Sequence, residues 1–189
     1  MIVGDSLSAG YQMPIEKAWP SLLSQTMKER GHDITVVNAS ISGDTSGNAK
    51  DRLQQALETH QPDWVLLAIG GNDGLRGFPP TVLKNNLIAM IEMIRAANAQ
   101  PIVMHIRIPL NYGKRYTAQF SSVYSGVANH TKAPLMDFFP ERIFTDEQWL
   151  MDDNLHPNPS AQPIMADHAA QALSKLMNIP SVSNTSHTP

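Results

Sequence analysis

Short uninterrupted apolar runs alternate along the chain with longer stretches in which apolar residues recur every three or four positions. Residues 1–3, 64–69 and 101–108 are nearly all apolar, 34–38 is β-branched, and 134–138 is a last short run. Runs of this length predict strands, and the continuous ones predict strands buried on both faces. Between them the period changes to that of a helix. Residues 16–30 form one candidate, with Gly31 placed to close it as the residue after the cap. A second runs to about residue 59, capped by Thr45 or Ser46, with Ala49, Leu53, Ala56 and Leu57 on one face. A third opens at Pro79 or Pro80 and carries Leu83, Leu87, Met90, Ile91 and Ile94. Weaker periodicity marks 116–130, and 160–177 is a terminal helix with Ile164, Ala169, Leu173 and Leu176 near one face. Five strands alternating with five helices predict an α/β fold whose parallel sheet is covered on both faces. Such sheets bind ligands at the carboxyl ends of their strands, so the chemistry is expected just after each run.

Composition narrows the class. The chain has 189 residues, of which 42% are hydrophobic and 16% charged, enough apolar residues for one sizeable core. Residues 1–178 are expected to be a single domain, and the Ser/Thr/Pro/Asn-rich segment 179–189 a disordered tail. The formal net charge is −3 and basic residues are scattered, with Lys114-Arg115 the only adjacent pair. That pattern argues against a nucleic-acid or anionic-membrane surface. There is no cysteine, which excludes disulfides, thiolate metal sites and a cysteine nucleophile. No apolar run approaches the roughly 18–20 residues of a membrane span, so no stable membrane insertion is expected.

The strand ends share a theme. Gly4-Asp5-Ser6-Leu7-Ser8 follows the first run, Ser40-Ile41-Ser42-Gly43-Asp44 the second and Gly70-Gly71-Asn72-Asp73-Gly74 the third. The fifth leads, after some 14 residues, to Asp153-Asn154-Leu155-His156-Pro157. Turns alone account for glycine, serine and asparagine at such places. Together, however, they put a hydroxyl, small backbone donors, an amide and an acid–imidazole pair on one edge of one sheet. Acyl transfer uses these parts: a serine activated by a base, an acid that orients the base, and donors for the oxyanion. Ser6 is the candidate nucleophile, His156 the base and Asp153 its orienting acid. The backbone N–H groups of Ser6 and Gly43, with the Asn72 amide, are the candidate oxyanion hole.

The blocks "GDSLSAGY", Gly43 in "SGDT", "GGNDGLRG" and "DNLHPN" together resemble the SGNH-hydrolase (GDSL-type esterase/lipase) superfamily. Within it, "AWPSLL", "IRIPLNYGKRY" and "HPNPSAQP" are similar to the bacterial multifunctional acyl-thioesterase/lysophospholipase/arylesterase group. The resemblance spans roughly residues 2–177. It implies a flavodoxin-like three-layer α/β/α fold with a five-stranded parallel sheet of order 2-1-3-4-5. It puts the catalytic serine on Ser6, the acid–base pair on Asp153 and His156, and the oxyanion residues on Gly43 and Asn72. It also implies a substrate cleft flanked by the loops after the third and fourth strands. Two departures show. The group commonly has glycine where this chain has Asn154, which a loop tolerates. Members also carry more residues before the first block, often an export signal. Residues upstream of Met1 are therefore expected to be missing here, with a periplasmic or secreted location if a signal was removed and a cytoplasmic one otherwise.

Rivals exist for each role. Ser8 competes with Ser6 and is expected to cap or pack. Asp152 competes with Asp153, but the spacing to His156 favours Asp153. Among other histidines, His32 and His60 read as surface residues near helix ends, and His105 as a satisfied core or cleft histidine. Asp5 and Asp73, with Asp153 and His156, form an oxygen-rich set. Aspartates beside glycine at strand ends ordinarily bind loop backbone, so no metal and no organic cofactor is expected. Leu75, Phe78, Ile106, Pro109 and Tyr112 are candidates for an acyl groove, the 75–78 segment for a mobile lid, and Arg107 for a polar head-group contact. The function expected is hydrolysis of small-molecule esters or thioesters by a monomer or weak oligomer. A carbohydrate O-acetylesterase of the same fold and a non-catalytic flavodoxin-like binding module are the alternatives.

Overall fold

The computed structural model describes residues 1–178; the expected disordered tail, 179–189, lies outside the described residues. The chain falls into two compact units. One comprises Met1–Gln12 and Val37–Phe138, and the other Met13–Val36 and the chain from Phe139 onward.

The first unit holds a parallel sheet of four strands in the order β1-β2-β3-β4: β1 (Ile2–Gly4), β2 (Trp64–Ala68), β3 (Gln100–Met104) and β4 (Leu135–Met136). Its registers pair Val3 with Leu67, Leu66 with Ile102 and Val103 with Leu135. The three residues of β1, the edge strand of this sheet, are fewer than a strand usually has, yet they are anchored from Met1, whose carbonyl accepts the Leu66 N–H. The expected fifth strand at 34–38 contributes a single parallel bridge, Asn38 to Ile2. Sheet-like hydrogen bonds do flank it: Ile2 N–H donates to Val37, Ala39 to Ile2 and Ile41 to Gly4. Two diversions keep it from becoming a strand. The Val36 N–H is taken by Ser24 Oγ, and the Asn38 side chain accepts the Ser40 N–H while donating to the Ser8 carbonyl. The sheet is therefore four-stranded, with the 37–41 segment fringing the β1 edge.

Short helices follow two of the strand ends: α1 (Ser6–Ala9) after β1 and, after β2, α4 (Gly71–Leu75). The long helices of this unit are α3 (Ser46–His60), α5 (Pro80–Ala96) and α6 (Lys114–Thr131), with α3 packed on α5 and α5 on α6. Thr45 caps α3 in a reciprocal capping box with Asn48, as the sequence suggested. In the second unit α2 (Trp19–Glu29) packs against α8 (Gln162–Leu176), and the four-residue α7 (Arg142–Thr145) precedes α8 in the chain. Helix α2 ends in a Schellman motif. Gly31 sits at φ +81, its N–H meets the Lys28 carbonyl, and the His32 N–H reaches back to Met27. His32 is consequently buried rather than at the surface, while His60, at the end of α3, is exposed.

Candidate active site

The turn that carries Ser6 is built around a glycine with no room to change. A Cβ on Gly4 would stand 2.9 Å from the Ala68 carbonyl oxygen and 3.0 Å from both Ser40 Oγ and Ser8 Oγ. The backbone then leaves β1 directly into α1. Asp5 is its N-cap, its carboxylate accepting the Leu7 N–H at 3.1 Å. Ser6 opens the helix, so its backbone N–H is one of those that a helix start points outward. Ser8 is buried and packs beneath Gly4.

Asp5 also reaches across the sheet edge. Its Oδ2 lies 3.0 Å from where a Gly71 side chain would begin, and its carboxyl accepts the Gly71 N–H. Burial pushes this carboxyl up to about 7, against the two N–H groups of Leu7 and Gly71 that lower it; the charges of Asp73 and Asp44 push the same way as burial. The start of α1 and the start of α4 are thus joined by one carboxyl group.

Asn72 is the second residue of α4, and two side chains of this helix and that of its C-cap residue, Arg76, grip the 43–46 segment. Asn72 Nδ2 donates to the Asp44 carbonyl at 2.9 Å. Arg76 Nη2 donates to the Gly43 carbonyl at 3.0 Å. Asp73 is buried and accepts twice from Ser46, from its N–H at 2.7 Å and from its hydroxyl at 2.5 Å. Asn86 donates to Ser46 Oγ in turn, and Lys50 to Asn86. Gly43, at φ +87, accepts the Arg76 bond with its carbonyl, and its N–H meets no acceptor among the described residues. The Ser46–Asp73 clamp and the Arg76 bond were not singled out from the sequence. The only signal for them is the polar run that flanks Asn72, which turn chemistry also explains.

Asp153 and His156 form their pair inside the second unit. His156 Nδ1 meets Asp153 Oδ2 at 2.7 Å, and Asp153 Oδ1 accepts the backbone N–H groups of Leu155 and His156 at 2.9 Å each. Desolvation raises the Asp153 carboxyl, but the His156 N–H, the His156 ring and the Leu155 N–H together outweigh it and hold the group below the ordinary carboxylate range. An ionised carboxylate only accepts, so the Nδ1 of a neutral His156 carries the proton and Nε2 carries the lone pair. The loop is closed by its own hairpin. Leu150 bridges Pro157, Met151 N–H donates to the His156 carbonyl, and the Asn158 amide ties the Gln148 and Leu150 carbonyls. Asn154 occupies the left-handed region at φ +53, the conformation glycine would supply. Asp152 is exposed, with no hydrogen bond or ion pair among the described residues.

The other candidates divide. Phe78, Pro109 and Tyr112 are exposed, Leu75 is half-buried, and Arg107 is exposed. Ile106 is buried, with Cγ2 3.8 Å from where a Cβ on Gly71 would stand, at the start of α4. The 75–78 segment is tied down: Phe78 N–H donates to the Asp73 carbonyl, and the Tyr116 hydroxyl to the Phe78 carbonyl at 2.8 Å. His105 is half-buried and bonded through Nε2 to Ser121 Oγ at 2.7 Å; burial, then the Arg107 charge, lowers its affinity for a proton, and Asp137 opposes them.

A sequence profile of the GDSL-like lipase/acylhydrolase family matches residues 2–162. The chain is similar to an arylesterase of Vibrio mimicus, 54% identical over 175 residues that cover 93% of this chain and 88% of that one. It is also similar to a thioesterase 1/protease 1/lysophospholipase L1 of Escherichia coli K12, 48% identical over 178 residues, 94% of this chain and 84% of that one. Among solved structures it resembles the psychrotrophic esterase EstA from Pseudoalteromonas sp., inhibited by monoethylphosphonate. The TM-score is 0.90 and the identity 42%, over 94% of this chain and 97% of that one. Neighbours this near make the architecture flavodoxin-like α/β, with the corrected count of four strands. With the profile running from β1 to the first residue of α8, and relatives matched along most of their own length, the chain belongs to the GDSL-like lipase/acylhydrolase family.

Proposed function

We propose that this chain hydrolyses carboxylic esters, with thioesters and lysophospholipids as further substrates, through an acyl-enzyme on Ser6, and that residues 1–178 work as one catalytic domain. His156 Nε2 takes the proton as Ser6 Oγ attacks the carbonyl carbon. Asp153 stabilises the imidazolium that results. The developing oxyanion is met by the N–H groups of Ser6 and Gly43 and by the second N–H of Asn72, whose first is anchored on Asp44. Each such donor contributes roughly 3–4 kcal/mol to lowering the barrier. His156 then returns its proton to the leaving alcohol or thiol. Water attacks the acyl-enzyme by the same steps, releasing the acid and restoring Ser6.

The observation that carries this reading is the 2.7 Å bond between His156 and a carboxylate held ionised by three hydrogen bonds, which is the tautomer control a general base needs. The substrate range is supported by the names of the relatives, an arylesterase and a thioesterase/lysophospholipase. A fluorophosphonate probe tests the nucleophile. It is expected to label the wild type on one serine and to leave Ser6→Ala unlabelled and without esterase activity. Labelling that survives Ser6→Ala overturns the assignment.

A further inference from the structure

The basic residues that look scattered in the sequence are gathered by the fold. Among the described residues six large apolar side chains are exposed, and five of them belong to the first unit: Ile41, Phe78, Val82, Leu110 and Tyr112. All five stand on the loops, or the first helical turn, that follow the strands at the carboxyl edge. Leu110 is the extreme case, at 81% exposure in a three-residue turn braced by the Gly113 N–H on its carbonyl. These loops are fastened to one another, Arg76 to the Gly43 carbonyl and Tyr116 to the Phe78 carbonyl, so the apolar residues are held as a collar. Exposed cations sit among them: Arg76, Lys114 and Arg115. Lys114 and Arg115 occupy the first turn of α6, where the helix dipole disfavours positive charge. Helix stability therefore does not explain their place. Of the acids of the same edge, Asp44 is paired with Arg52, Asp5 and Asp73 are buried beneath the surface, and Asp137 is exposed. This edge is basic on a chain whose net charge is −3.

We propose that the carboxyl edge of the first unit is a peripheral docking surface for an anionic phospholipid bilayer, with Leu110 entering the head-group zone and Lys114 and Arg115 meeting lipid phosphates. Apolar tips ringed by cations suit such an interface. The inference rests on the hydrolase reading only in making the bilayer a source of substrate, since binding is measured without turnover. The full chain is sedimented with vesicles of phosphatidylcholine alone and of phosphatidylcholine mixed with phosphatidylglycerol. Wild type is expected to favour the anionic vesicles, less so at high salt. Replacing both cations (Lys114→Gln with Arg115→Gln) should cost on the order of fivefold in partitioning for each charge, and Leu110→Ser should weaken binding to both vesicles. Hydrolysis of a water-soluble aryl ester should stay unchanged in these variants. Absence of vesicle binding by the wild type overturns the proposal, as does an anionic preference that survives loss of both cations. So does a concentration-dependent dimer that Leu110→Ser abolishes, because the collar then covers a second copy. Absence of ester hydrolysis by the wild type refutes the hydrolase reading instead.

Discussion

In the proposed reaction Asn72 divides its amide between structure and chemistry. One N–H is fixed on the Asp44 carbonyl, so the other is aimed without a conformational search. Asn72→Ala is expected to lower kcat by about 10²- to 10³-fold with KM nearly unchanged. A kcat within about threefold of wild type would take Asn72 out of the oxyanion hole. Its neighbours show what a sequence displays at this scale and what it hides. Asp153 could be preferred over Asp152 by spacing alone, because a carboxylate three residues back in a tight turn can reach both the ring and the backbone of His156, as it does. Asn154 was readable for the same local reason. The Asp73–Ser46 clamp was not, because its partners lie 27 residues apart and neither departs from ordinary turn chemistry. His32 misled because its burial comes from the chain reversal at Gly31, and not from the periodicity of the helix before it.

At the scale of elements, glycine marks which turns are fixed and which positions are merely vacant. Gly70 caps α4 at φ +121, and a Cβ there would stand 2.4 Å from the Tyr124 hydroxyl, which is buried and bonded to the Ile69 carbonyl. Gly126 lies exposed within α6 with nothing within 4 Å of an added Cβ. Gly126→Ala should therefore raise stability by about 0.5–1 kcal/mol, while Gly70→Ala should lower both stability and kcat, since it displaces the helix that carries Asn72. Thermal denaturation of the pair checks this; equal effects would mean that the Gly70 turn is not what holds α4. β2 and the long helices other than α2 were legible within a residue or two, because each has its own periodicity or apolar run and, for α3 and α5, a cap or proline at its start; α2 begins three residues later than read, after a separate turn at Ile15–Lys17. The ends of β3 and β4 were overrun because the apolar residues continue after the ladder stops: Ile106 and Ile108 are buried by packing rather than by pairing. The four- and five-residue helices α1 and α4 are too short to show a period at all.

For the molecule as a whole, the buried Asp5 carboxyl links protonation to folding. Its folded value of about 7 stands above its ordinary 3.8, so the native state holds a proton that the unfolded chain releases. The stability this supplies is complete below about pH 4 and is lost as pH rises to about 7, at about 1.4 kcal/mol per pH unit within that window. Asp5→Asn cannot titrate, so its melting temperature should improve relative to wild type between pH 5 and pH 8. A difference that does not change with pH would show that Asp5 is not protonated in the native state. The overall α/β class was legible because five strand–helix alternations leave few topologies. The charge asymmetry was not, since only the fold decides which of the scattered cations share an edge. The acid–base loop leads to a different kind of consequence. Asp153 and His156 are bonded within four residues, and the hairpin around them closes on itself at Leu150, Met151 and Pro157. No residue between β4 and Gln148 takes part in these bonds. The acid, the imidazole and the bonds that fix their tautomer are thus written into one short stretch, residues 148–158, which carries them together as a unit.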